Sequence, residues 1–296
     1  MKFQTRFTLR SKVMLVILGL TALVCILFFQ QEYRHPVPLA ALDGDVFTRR
    51  LPSDLVRRGS SKVWIFRLAA DAEFVPYYYA DAGLSGPASV DVWMDHLQVP
   101  LVFNAGQYDE KNQHLGWLKG DGRWHSKQKS KVWEGVLLSG ALDSQHPARI
   151  ADLSETPDSV VEGYQHVVQS MMLLDQRGHS RVRESERDAC RTVVAEDQLG
   201  HILVIFTEGA VRLNDLARWL AESDLGIVRA MNLDGGRESQ FALRSGSLHI
   251  HRFGRFATIR SRLAWLPMPM ERGEIPAVIA VRRAARSGVA PRANDD

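Results

Sequence analysis

Three kinds of hydrophobic spacing follow one another along the 296 residues. The first is an uninterrupted apolar run from Val13 to Phe29 (VMLVILGLTALVCILFF), 17 residues without a charge. As a helix it is about 26 Å long, close to the thickness of a bilayer core. The second is a series of short segments rich in β-branched and aromatic residues. KVWIFRLA (62–69), FVPYYYA (74–80), LVFNAG (101–106), VWEGVLLS (132–139), HVVQSMMLL (166–174), CRTVVAED (190–197), HILVIF (201–206) and VRAMNL (228–233) predict strands. Pro76 consigns the second of these to an edge or a bulge. QFALR and LHIHRF, flanking Ser-Gly-Ser at 245–247, predict a hairpin. The third spacing is helical. VDVWMDHL, with Ser89 as its N-cap, ends before Pro100. In DLARWLAES, capped by Asn214 and stopped by Gly226, Leu216, Trp219 and Leu220 fall at the i, i+3, i+4 spacing of a buried stripe.

Together these segments predict an α+β fold: a mixed β-sheet domain with two or three helices over residues 62–282, preceded by one N-terminal transmembrane helix. Residues 30–61, with three prolines and no sustained periodicity, read as a tether, and the polar stretch 283–296 reads as a disordered tail. Residues 1–12 hold Lys2, Arg6, Arg10 and Lys12 and no acid. The positive-inside rule then leaves the N-terminus cytoplasmic and the domain on the periplasmic side of an inner (plasma) membrane, crossed once. A cleaved signal peptide is the alternative, but QQEYRHPVPLAAL offers no small-x-small site close to the apolar run.

Charge and cysteine content narrow the classes. Net charge is +3, with the excess cations concentrated at the N-terminus and around Arg282, Arg283 and Arg286. No basic stripe interleaved with aromatics runs between Lys62 and Ile275, which argues against a nucleic-acid partner. Cys25 lies within the apolar run and Cys190 far beyond it, so no intramolecular disulfide is expected. There is no CxxC, HExxH or GxSxG, which argues against the common zinc sites and against an α/β-hydrolase serine.

Candidate chemistry gathers at three places. In NAGQYDEKNQHLGWLKGDGR a buried strand delivers Asn104, and Gly106 lets the chain turn before Tyr108 and Asp109. The alternative there is a plain polar loop. In MNLDGGRESQF the apolar VRAMNL runs straight into Asp234, Gly235 and Gly236. A carboxylate at a strand end, with glycines that admit a ligand, suits catalysis or binding. Asp-Gly-Gly is equally a common hairpin turn. Arg191 opens an otherwise interior strand, where a guanidinium can grip a phosphate through paired hydrogen bonds or serve a structural ion pair. Trp117 and Trp124 are candidates to stack on a sugar ring.

Taken in order, these segments resemble the phosphodiester glycosidase family. NAGQYD matches its Asn-Ala-Gly strand end at Asn104, Ala105, Gly106 and Asp109. LGWLKGDG, QSMMLLDQRG, the Arg191-Thr192 strand, the helix DLARWLAE and the NLDGG turn at Asn232 to Gly236 follow in the family's order. Many members continue Gly-Ser-Ser where this chain has Arg237-Glu238-Ser239, so Ser239 keeps the serine position. The resemblance covers roughly residues 90–253 and implies a hydrolase that splits a sugar from a phosphodiester at the anomeric carbon. It also implies a set of roles. Asp234 is the first choice for the nucleophile or water-activating base, and Asp109 the second. Glu238 is an added acid or base. Arg191 sits against the phosphate. Asn104, Asn232, Gly106, Gly235, Gly236 and Ser239 complete the substrate site. The implied partner is a glycan or sugar-phosphate substrate, and no cofactor is expected. Two alternatives stay open: a non-catalytic envelope glycan-binding module, and a metal-dependent phosphodiesterase that cuts P–O, with Asp109 and Asp234 holding a divalent cation.

Overall fold

A computed structural model describes residues 33–143, 147–257 and 273–283. The expected membrane helix at 13–29, the basic segment before it and the tail beyond Arg283 lie outside the described residues. Among the described residues no helix is long and apolar enough to cross a membrane.

The chain runs β1 (Val37–Leu39), β2 (Gly44–Arg50), β3 (Val56–Arg58), β4 (Lys62–Leu68), β5 (Glu73–Tyr78), α1 (Val90–Leu97), β6 (Leu101–Asn104), β7 (Leu118–Gly120), β8 (Arg123–Ser126), β9 (Gly135–Ala141) and β10 (Arg149–Asp152). It continues with α2 (Asp158–Glu162), β11 (Tyr164–Leu174), β12 (Asp188–Ala189), β13 (Arg191–Asp197), β14 (Ile202–Thr207), β15 (Ala210–Arg212), α3 (Leu213–Glu222), β16 (Ile227–Gly235), β17 (Gln240–Ser245), β18 (Leu248–Phe253) and β19 (Ala277–Arg282). An 11-stranded sheet has the path β1-β2-β4-β14-β13-β16-β11-β7-β8, with β9 and β10 branching from β11. A five-stranded sheet runs β18-β17-β6-β19-β5, and β12-β15-β3 form a small third sheet. The pairings between these strands are antiparallel, as in β13 against β16 and β6 against β19.

Strand alternation explains the layering. Along β4, Trp64, Phe66 and Leu68 point to one face and Val63 and Ile65 to the other. The first set meets Phe74, Phe103, Phe241 and Ile279 of the five-stranded sheet in the main core. The second set packs beneath α3 through Leu213, Leu216, Ala217 and Leu220. On the outer face of the smaller sheet, α1 lays Val90, Trp93 and Met94 over Val102, Ala242 and Val278. The result is four layers, helix, sheet, sheet and helix, and both sheets present runs buried on both faces.

The α+β expectation is overturned. The fold is mostly β, 47% strand and 11% helix among the described residues, with three α-helices of eight, five and ten residues. Helical periodicity was legible in α1 and α3, but the added strands are two to seven residues long, too short to carry a clear period of their own. They pair because a neighbouring edge is present. The same reason corrects the expected tether. Residues 37–58 supply β1, β2 and β3, and β2 pairs with all of β4 from Gly44↔Leu68 to Arg50↔Lys62. Pro76 does sit on an edge strand, since among the described strands β5 pairs only with β19. Ser89 holds the N-cap position of α1 without a side-chain cap bond. Helix α3 starts two residues early, with Arg212 at its N-cap, so Asn214 lies inside it.

Candidate functional site

β16 does not stop at Leu233. It carries Asp234 and Gly235 as strand, and the bend falls one residue later, at Gly236, whose φ of 73° is a left-handed conformation suited to glycine. The expected Asp-Gly-Gly hairpin turn is therefore a strand end followed by a single 3-10 turn over Gly236–Glu238. Register pairs Gly235 with Arg191 on β13. A Cβ at Gly235 would lie 3.0 Å from the Cys190 carbonyl and 3.1 Å from Arg191 Nη1. The missing side chain is what gives the guanidinium its place beside Asp234. Arg191 Nε donates to the Val211 carbonyl (3.4 Å) and Nη2 to the Arg187 carbonyl (3.3 Å). Among the described residues no carboxylate bonds its Nη1.

Asn104 fastens this strand end to the rest. It is 1% exposed, and its Oδ1 accepts from Thr192 Oγ1 (2.7 Å) and the Gln240 amide (3.1 Å). Its Nδ2 donates to the carbonyls of Ala105 (3.1 Å) and Asp234 (3.3 Å). One side chain thus ties β6 of the smaller sheet to β13 and β16 of the larger one. Thr192 Oγ1 is also 2.6 Å from Ser239 Oγ, and Ser239 is fully buried. Gln107 reaches the same strand end from the far side, donating to the Leu233 carbonyl (3.0 Å) and accepting from Ser170 Oγ (2.9 Å).

The electrostatics follow from this packing. Asp234 is half-buried, and its one side-chain hydrogen bond comes from the Gly235 amide at 2.8 Å. Desolvation, reinforced by the neighbouring Glu238 carboxylate, pushes its carboxyl up to about 7, while the Gly235 N–H and Arg191 pull the other way. Glu238 accepts from Arg237 Nε at 2.7 Å. Tyr108 stands over both acids. Its phenol is raised by burial and then by Glu238 and Asp234, and its hydroxyl donates to the Glu274 carbonyl at 3.5 Å. The arrangement offers one acid that exchanges a proton near neutrality and one guanidinium beside the next residue, close enough to lower that acid's proton affinity. A phenol and a second carboxylate close the rim.

The other expected residues are placed elsewhere or used differently. Asp109 Oδ1 accepts from the amides of Lys111 (2.8 Å) and Gln113 (2.9 Å), closing a turn on an exposed loop. Gly106 is close to that loop's base, where a Cβ would meet His114 Nε2 at 2.7 Å. Asn232 is buried on β16, with Nδ2 bonded to the Leu233 carbonyl and Oδ1 without a partner. Trp117 is 9% exposed and covered by Lys129, with Trp124 packed 6.2 Å away, so neither presents a free stacking face. His114 is buried and held down at about 4 by desolvation. Sequence reasoning passed over Tyr108 and Thr192 as chemistry. The Arg-Thr order hinted at Thr192, since neighbours on a strand face opposite sides. Among the described residues no group of three or more His, Cys, Asp and Glu side chains could hold a metal ion.

Comparisons bear on this geometry. A family model described as phosphodiester glycosidase matches residues 98–263, a span from just before β6 to just past β18 that takes in the whole strand-end cluster. The fold is similar to that of a hypothetical protein from Synechocystis, with a TM-score of 0.54 and 16% identity over 80% of this chain. This chain spans 61% of that one, about three fifths of its length. It is also similar to the catalytic domain of zebrafish N-acetylglucosamine-1-phosphodiester alpha-N-acetylglucosaminidase, auto-inhibited by its pro-peptide. There the TM-score is 0.55 and the identity 16%, over 86% of this chain and 87% of that one. At such identity the likenesses speak for the fold alone. No curated protein matches the sequence.

Proposed function

We propose that this chain, which belongs to the phosphodiester glycosidase family, hydrolyses a sugar-1-phosphodiester at the anomeric carbon with Asp234 as its water-activating base. The observation that carries the reading is the Asp234–Arg191 pair at the end of β16. An acid poised at about 7 lies beside a glycine that also borders a guanidinium, whose Nη1 bonds no carboxylate among the described residues. A base is most effective when its pKa is close to the working pH. Arg191 neutralises the phosphate and orients it through planar donors.

The step balances simply. The ionised Asp234 takes a proton from water as the water oxygen attacks the anomeric carbon. The anomeric C–O bond breaks, and its electron pair stays with the departing phosphate monoester. That leaving group needs little protonation, which leaves Glu238, paired with Arg237, to shape the rim field and hold the Asp234 proton affinity high. Tyr108, turning its hydroxyl from the Glu274 carbonyl, donates towards a sugar hydroxyl or the incoming water. Asn104, Thr192 and Ser239 act as the buried brace that fixes the strand end, since none of them is exposed.

Extracytoplasmic placement rests on the sequence of residues 1–29 alone, where four cations and no acid precede an apolar run.

Hydrolysis in ¹⁸O-labelled water tests the reaction. Label is expected on the released sugar, and label on the phosphate would replace this reading with P–O cleavage. Asp234→Asn is expected to lower turnover by roughly 10²–10⁴-fold. A protein that binds glycan but shows no hydrolysis to lose would favour the binding-module alternative.

A further inference from the structure

A cleft among the described residues lies beside the Asp234 strand end. It encloses about 710 Å³ and is lined by Lys62, Glu208, His251, Arg252, Arg255 and Phe256, with Gly59, Ser60 and Phe253 completing the wall. That volume is in the range of small-molecule sites. Its charge is one-sided. Three permanent cations face a single carboxylate, and Glu208 is already committed to Trp64 Nε1 (2.8 Å) and Arg252 Nε (3.3 Å).

Aromatic faces help to hold all three cations, Arg252 together with Glu208. Lys62 Nζ lies 5.7 Å from the centre of the Trp64 ring, Arg252 Cζ 5.1 Å from the same ring, and Arg255 Cζ 5.3 Å from that of Phe253. A π face fixes a cation's position while leaving its N–H donors available. Such donors in a half-enclosed cleft suit an anion.

The cleft and the proposed active site share a wall one backbone thick. Gly254 N donates to the Ser239 carbonyl at 2.7 Å, and Phe256 O accepts from the Cys190 amide at 2.9 Å. Ala257 bridges to Ala189, and its Cβ is 3.0 Å from where a Gly236 Cβ would stand. Phe253, Arg255 and Phe256 face the cleft from this same segment. Across the wall, Cys190 O accepts from Gly236 N at 2.9 Å, beside Arg191.

We propose that this cleft binds a second, phosphate-class anion of the substrate, so that the chain acts on sugar-1-phosphodiesters whose aglycone itself carries phosphate. The assignment of that anion to the aglycone rests on the glycosidase reading above; the anion site itself does not. Arg191 holds the scissile phosphate, and the departing group extends over the 254–257 segment to Lys62 and Arg255.

Inorganic pyrophosphate is the probe. Titrated calorimetrically into the full chain, it is expected to bind, and the Lys62→Gln/Arg255→Gln double variant is expected to bind it at least about tenfold more weakly. Arg255→Gln alone, at an exposed position between strands, gives an intermediate loss and covers the case in which the double variant fails to fold. With sugar-1-phosphodiesters, the ratio of kcat/KM for a phosphorylated aglycone over a neutral one should fall by a similar factor in the variants. Pyrophosphate binding that is absent, or unchanged by both variants, overturns the proposal. A substrate preference that ignores both variants overturns it too. Retained, cleft-dependent pyrophosphate binding in a chain that hydrolyses no phosphodiester would instead sink the glycosidase reading while leaving the anion site in place.

Discussion

Asp109 and Asp234 look alike in the sequence, each near glycine at the end of a buried apolar strand, and the fold treats them in opposite ways. Asp109 lies on an exposed loop and spends its carboxylate on two amides of that loop. Asp234 receives one amide, sits half-buried beside a second acid and a guanidinium, and is pushed up to about 7. A carboxylate with one oxygen held by two amides of its own loop is fixed as part of a turn. One that is desolvated and under-bonded keeps its proton chemistry near neutrality. The difference lies in the neighbours each strand end meets, not in residue type.

The largest expected effect separates the two directly. Asp234→Asn should lower kcat by roughly 10²–10⁴-fold, whereas Asp109→Asn, which keeps a carbonyl oxygen to accept both loop amides, should leave it within about twofold. Comparable losses from both would erase the distinction. Next, Gly235→Ala places a methyl 3.1 Å from Arg191 Nη1 and 3.0 Å from the Cys190 carbonyl. The guanidinium must move, and kcat/KM should fall about ten- to a hundredfold with the melting temperature changed little. A loss of fold in proportion to activity would mean that Gly235 serves packing alone.

The pH dependence sharpens the contrast. If ionised Asp234 is the base, kcat/KM should fall about tenfold per unit as pH drops below about 7. Rates flat from pH 5 to 8 would assign the base elsewhere. Stability carries the smallest effect and the opposite sign. The folded-state pKa of Asp234 is raised above its usual value, so the ionised form costs the folded protein free energy. That cost is full above about pH 7 and disappears as pH falls through 4, where the acid is protonated in both states. Asp234→Asn should therefore stabilise the protein at pH 8, by about 1–3 kcal/mol once solvent access is discounted, and not at pH 4. Asp109→Ala, which orphans two loop amides, should instead destabilise by roughly 1 kcal/mol at both pH values. Chemical unfolding at the two pH values reads both.

Patterning within single segments was enough to locate β4, β6, β11, β13, β14, β16 and the β17–β18 hairpin, and to mark α1 and the buried stripe of α3, because alternation and 3.6-residue spacing are local signals. The order of NAGQYD, the Arg191-Thr192 strand and NLDGG was enough for the family, and it singled out Asp234 and Arg191. Only the tertiary structure turned residues 37–58 from tether into sheet, because strands of three to seven residues become stable through the edges they meet. Tertiary contact alone also made Asn104 a brace across two sheets, buried Ser239 against Thr192, brought Tyr108 over the acids and closed Asp109 into its own turn. Hydrogen-bond satisfaction and desolvation are properties of neighbours distant in the chain, and no spacing along it records them.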